Sequence, residues 1–172
     1  MRNDFKIVKR DQLYGADKLV QKYLKAIEVL TYYTSLDGIA ETQNGIPCIF
    51  GLNGDAKHLT PNDNEVAQLF FYEHDARRYT ERYAEIDLSI VVWFNQSKLE
   101  LGGTRIREKL IHELLNILRT PTLTEVRYFD TFQVFTDRSQ IFTDFDIDAT
   151  DILKYPFDGF RVRFTTNYNN EC

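Results

Sequence analysis

The stretch that most constrains how this chain folds is residues 83–119, which reads as one long strand, a glycine break and one amphipathic helix. In YAEIDLSIVVWF, Ile86, Leu88, Ile90 and Val92 fall on one side, and Glu85, Asp87, Ser89, Val91 and Trp93 on the other. A sustained period of two, rich in β-branched and aromatic types, predicts a strand. Its second face turns from polar to apolar at Val91 and Trp93, so that end is expected to be covered on both sides. After Gly102 and Gly103, Thr104 is expected to cap a helix, its hydroxyl accepting from a free first-turn amide. Ile106, Leu110, Ile111, Leu114, Ile117 and Leu118 then recur at helical spacing. Arg119 complements the negative end of the helix dipole and Pro121 stops the helix. One strand feeding one core helix is a scaffold; it names no chemistry.

Residues 1–12 are charged and read as a flexible arm or an edge strand. Asp17 is placed to cap a helix through Leu19, Tyr23, Leu24, Ile27 and Leu30. Asp37-Gly38 and Asn44-Gly45 are turn signals. Residues 46–52 predict a short strand, which Pro47 places at an edge or keeps brief. Residues 53–64 (NGDAKHLTPNDN) read as a long polar loop, and 66–73 as a strand forming an antiparallel hairpin with the long one. Residues 124–135 read as one or two strands. In residues 141–152, Phe145, Ile147 and Ala149 alternate with Asp144, Asp146 and Asp148, which predicts a strand with an acidic face. A turn at 155–159 leads into a final strand at 160–168, with Phe160, Val162 and Phe164 opposite Arg161, Arg163 and Thr165. The expectation is a single α+β domain over 1–172, a mainly antiparallel sheet packed against two helices.

A chain of 172 residues is long enough for one domain with a real core. Its formal net charge of −5 argues against a protein whose main task is neutralising a phosphate backbone, while leaving room for a local basic face. Cys48 and Cys172 have no framework spacing, which suggests a reducing compartment and no structural disulfide. No signal peptide or membrane-length apolar run is seen, so a cytoplasmic, membrane-free protein is expected.

No catalytic, metal or cofactor motif is complete. His112-Glu113 begins a zinc-protease pattern, but the residue that should be the second histidine is Asn116. The Asp144, Asp146, Asp148, Asp151 series lacks the glycine and glutamate of a calcium loop: counted from Asp146, the sixth and twelfth residues are Asp151 and Phe157. A solvated acidic face is the simpler account. Gly102-Gly103 lacks the further glycine and lysine of a phosphate loop. Arg77, Arg78 and Arg82 with Tyr79 form a basic and aromatic hairpin tip, diluted by Glu73, Asp75, Glu81 and Glu85. The surfaces expected to work as interfaces are this tip, the loop bearing Asp55, Lys57 and His58, and the acidic residues Asp144, Asp146 and Asp148. A small metal-dependent hydrolase or nuclease is the alternative; it requires one of those aspartates to converge with His112 or His58.

The order of parts resembles the tail terminator and tail completion proteins of tailed bacteriophages. The strand EIDLSIVVWF (85–94), the helix 106–118 and the ending YPFDGFRVRFTTNY (155–168) carry the likeness. The ending in particular is similar to small virion proteins of phages and prophages of the Bacteroides group. The resemblance implies a non-enzymatic structural protein, assembled in the bacterial cytoplasm and resident in the virion. It implies a ring, hexameric or dodecameric, at the neck or the top of the tail, contacting portal, neck or tail proteins. DNA would pass through its channel without sequence-specific binding. Residues 31–64 are longer and more polar than in the compact members of that group.

Overall fold

A computed structural model describes residues 23, 25, 27, 34–50, 53–74, 78–79, 83–99, 105–119 and 132–169. The strands are β1 (Thr34–Ile39), β2 (Glu41–Gln43), β3 (Ile46–Phe50), β4 (Ala56–His58), β5 (Ala67–Glu73), β6 (Arg78–Tyr79), β7 (Tyr83–Asn95), β8 (Gln133–Phe135) and β9 (Phe157–Asn169). The helices are α1 (Ile106–Leu118), α2 (Arg138–Ile141) and α3 (Ala149–Ile152), and residues 23, 25 and 27 are also helical. The architecture is α+β, mostly strands, in two sheets.

The main sheet runs β1-β5-β7-β9-β8, with β6 pairing to β7 beyond the end of β5. Its axis is the antiparallel β7–β9 ladder, which stays in register from Tyr83↔Asn169 to Asn95↔Phe157, roughly 40 Å of strand. The alternation in β7 sorts as its pattern requires. Ile86, Leu88, Ile90, Val92 and Phe94 enter one cluster with Leu69, Phe71, Phe160, Val162 and Phe164. Val91 and Trp93 enter a second cluster on the opposite face. The apolar end of β7 is therefore covered on both sides.

α1 closes the first face with Leu110, Leu114 and Leu118, all fully buried. Burying a leucine side chain contributes about 2 kcal/mol, so this row is enough to hold a helix that is marginal alone. Tyr23 and Ile27 complete the layer; the Tyr23 ring stacks on Phe71 at 5.8 Å and meets Phe164 edge-on at 5.6 Å. Arg105, and not Thr104, occupies the N-cap position of α1, and its side chain makes no capping bond. Thr104 itself lies outside the described residues, as do the arm at 1–12 and most of the strand expected over 124–135.

The second face is covered differently. β1 pairs with β5 in parallel, and parallel neighbours need a crossover. Here the three-stranded sheet β2-β3-β4 supplies it. Gln43 and Ile46 close the β2–β3 hairpin across Asn44 (φ 52°) and Gly45 (φ 78°), two positive φ values as a type I′ turn demands. Two expectations fail in this region. Asp37-Gly38 is no turn: it lies within β1, where residues 36–38 are accommodated between the pairs Ser35↔Leu69 and Ile39↔Phe71. The segment 53–64 is no featureless loop, since it contains β4 and the fully buried Leu59. Pro47 sits in the middle strand of its sheet, which is brief rather than at an edge. Its carbonyl accepts from Leu59 at 2.8 Å where the β4 ladder ends, so the missing N–H removes only a terminal bond.

The largest correction concerns residues 141–152, which form no strand. Asp137 caps α2 by accepting from the Ser139 amide at 3.0 Å, and Asp148 caps α3 by accepting from the Thr150 amide at 2.9 Å. Between them, Phe142 and Phe145 turn inward against Phe70. Local capping overrides the alternating pattern, and Asp144, Asp146 and Asp148 consequently do not line one strand face.

Candidate functional site

The second face of the main sheet is apolar at one end and charged at the other. Toward the apolar end, Trp93 Nε1 donates to Gln68 Oε1 at 3.1 Å and the indole meets Phe157 edge-on. Moving along β7, Val91 stands opposite Arg161 of β9, Ser89 opposite Arg163 of β9 and Tyr72 of β5, and Asp87 opposite Thr165 of β9. His74 enters just past β5, its amide bonded to the Asp87 carbonyl at 2.9 Å.

These side chains form a connected network. His74 Nε2 lies 2.8 Å from Ser89 Oγ, and its Nδ1 is 3.6 Å from Asp144 Oδ1. Arg161 Nη1 donates to Asp144 Oδ2 at 2.7 Å and to Thr143 Oγ1 at 2.6 Å. The Arg161 guanidinium lies over the Phe135 ring at 4.6 Å, and its Nε is buried without a hydrogen bond. Arg163 Nε donates to both Asp87 oxygens, at 3.1 and 3.3 Å. Burial lowers the His74 pKa, with Asp144 and then Asp87 opposing it. Burial also lowers that of Arg161, against the pull of Asp144, whereas the hydrogen bonds to Asp87 raise that of Arg163.

A hydroxyl, an imidazole and a carboxylate in line suggest a nucleophile and its base. That chemistry needs an exposed oxygen and free amides to stabilise an oxyanion. Ser89 has 0% exposure and sits on a central strand paired on both sides, by Tyr72 and Arg163. What the arrangement does do is hold charge: it pins the 142–145 turn to the sheet through Asp144, and it ties β7 to β9 through Asp87 and Arg163.

Of the residues singled out from sequence, Asp144 belongs to this network. Its histidine neighbour is His74; His58 instead bonds Gln43 at 3.2 Å, and His112 is exposed on α1 over the opposite face. Among the described residues, no group of three or more His, Cys, Asp or Glu side chains is arranged to hold a metal ion. Asp55 is exposed just before β4, and Lys57 pairs with Glu65 at 3.6 Å. Asp146 and Asp148 are exposed on the turn and at the α3 cap. Arg78 and Tyr79 form β6, paired with Glu85 and Ala84, while Arg77 and Arg82 lie outside the described residues. Cys48 is a free, buried thiol whose pKa is pushed up by burial and then by Glu41. Among the described residues, no helix is long and apolar enough to cross a membrane.

Sequence reasoning does not bring His74, Asp87, Ser89, Arg161 and Arg163 together as a unit, because no local pattern pairs the polar face of one strand with that of another. The available signal was complementary: Asp87 and Ser89 on one predicted strand, Arg161 and Arg163 on another, each flanked by core positions. Comparison of the chain with protein-family models, with curated proteins and with solved structures finds no match.

Proposed function

We propose that this chain is a structural virion protein that folds as one domain and assembles into a ring at the neck or upper tail of a tailed phage. In this reading the ring joins or terminates the tail, contacts portal, neck or tail proteins, and surrounds the channel for DNA. One observation supports it above the rest. The three segments that carry the sequence resemblance form one packing unit. The strand at 85–94 pairs with the ending at 158–167, and α1 lies across both through Leu110, Leu114 and Leu118. A likeness of linear order alone would not require those parts to touch.

The working surfaces are then interfaces: the tip bearing Arg77, Arg78, Tyr79 and Arg82, and the small sheet bearing Asp55, Lys57 and His58. Light scattering coupled to size exclusion, followed by negative-stain microscopy, tests the reading. Closed rings of about six or twelve subunits are expected. A protein that stays monomeric or stops at dimers at every concentration overturns it. In assembling protein, Arg77→Glu with Arg78→Glu is expected to reduce the ring fraction while leaving the monomer folded.

A further inference from the structure

Among the described residues, the segments that cover the two faces of the main sheet expose opposite charge. α1 lies over the first face and exposes Arg105, Lys109, His112, Asn116 and Arg119, the last with its guanidinium over the Phe132 ring at 5.5 Å. Steps of four and three residues align these five on one stripe of the helix. Arg107 is engaged elsewhere, with Asp158 at 3.4 Å and the Thr136 carbonyl at 3.3 Å. Glu108 is the exposed acidic residue beside the stripe. On the second face, residues 137–154 expose five aspartates against Arg138 and Lys154, a net charge of −3 (five minus two). Asp144 is partnered by Arg161, and Asp151 by Lys154. Asp148 stays ionised because the Thr150 hydroxyl and amide both bond its carboxylate. Asp146 is exposed, its place set by its amide on the Gly45 carbonyl at 2.8 Å.

We propose that the basic stripe of α1 in one copy of this chain docks on the acidic surface at 146–151 of a second copy. The contact is head-to-tail, between opposite faces of the sheet; it rests on the ring reading above and supplies it with an interface. The occupant follows from charge. Two copies at −5 each repel on average, and a contact that lays the stripe on the acidic surface converts that repulsion into attraction. A two-fold contact of α1 on α1, or of the acidic surface on itself, opposes like charges. The favourable pairing is thus heterologous: it leaves one surface of each kind free at the ends, and it closes into a ring or grows as a filament according to the rotation per subunit.

The test is light scattering across a protein dilution series, at about 0.02 M and about 0.5 M salt, where screening lengths differ severalfold. Wild type is expected to associate at low salt and to shift toward monomer at high salt. Arg105→Glu with Lys109→Glu, and separately Asp146→Lys with Asp151→Lys, are each expected to weaken association at least tenfold. Melting temperatures close to wild type check that both fold, and Lys109→Gln and Asp146→Asn give smaller losses in the same direction if a reversal does not. Mixing the two reversed proteins is expected to restore association, because each then offers the other a complementary surface. Rings that form undiminished in both reversed proteins overturn this interface and leave the ring reading standing. Salt-sensitive open oligomers that respond to the reversals, with no closed ring, uphold the interface and overturn the ring. A wild type monomeric at low salt overturns both, and retardation of that monomer by duplex DNA, removed by Lys109→Glu, assigns the stripe to a polyanion instead.

Discussion

The two faces of the β7–β9 ladder are built from alternate residues of the same strands, yet they are held together by different physics. One face is a continuous apolar layer from Ile86 to Phe94, closed by the leucines of α1 and by Tyr23 and Ile27. The other is apolar only at the Val91–Trp93 end; beyond that it depends on Asp87, Arg163, Ser89, His74, Asp144 and Arg161 satisfying one another. Hydrophobic burial is non-directional and tolerates adjustment. A buried charge network is stable only while every member keeps its partner. The first face should therefore lose stability in proportion to the volume removed, and the second according to which partner is left alone.

The contrast can be broken most forcefully on the apolar side. Leu114→Ala removes a fully buried side chain facing the ladder and is expected to cost about 3 kcal/mol in urea unfolding. A loss below about 1 kcal/mol would mean that α1 contributes little to that face. On the charged side, Asp144→Ala strands the buried Arg161 guanidinium. The expected loss is about 2 kcal/mol, below the usual range for a broken buried pair because Asp144 keeps 27% exposure. Adding Arg161→Met should recover most of it, since removing both charges leaves no orphan. If the double variant is worse than the single one, the network is behaving as ordinary packing.

Gly45→Ala probes how the small sheet is attached. A β-carbon there would stand 2.4 Å from Cβ of Asp146, on a backbone at φ 78°. A loss of about 2 kcal/mol is expected, together with faster amide exchange in residues 142–148. Unchanged exchange would show that the turn is held by Arg161 and the phenylalanines alone. The smallest effect is the pH dependence carried by His74. Its folded pKa lies below the ordinary 6.5 because it is buried. As pH falls through about 6.5 the unfolded chain takes up the proton first, so His74's contribution is fully present above that value and declines below it. His74→Gln should flatten the stability profile between pH 7 and 5. A slope that survives the substitution belongs to other groups.

The parts of this fold that were legible early share a property: each is local. The alternation of β7, the leucine spacing of α1, the Phe160-Val162-Phe164 face of β9 and the Asn44-Gly45 turn are all set by a few consecutive residues and the backbone geometry they favour. Residues 141–152 depart from their alternating pattern for a related reason. Two local signals competed there, and the Asp-x-Ser and Asp-x-Thr caps at 137–139 and 148–150 prevailed over a pattern that also fits a strand. The Asp37-Gly38 signal failed because β1 absorbs those residues in an irregular stretch of its parallel pairing with β5.

The sequence by itself determined which strand faces are apolar, where the core helix lies and where one tight turn must form, because periodicity and turn chemistry are written in neighbouring residues. Only the tertiary structure decided that Asp87 meets Arg163 across 76 positions of chain, that Asp144 meets Arg161 and His74, and that α1 and the aspartate-rich turn lie over opposite faces of one sheet. Those facts depend on register between distant strands. A charge has the same local appearance in sequence whether it faces water or a buried partner.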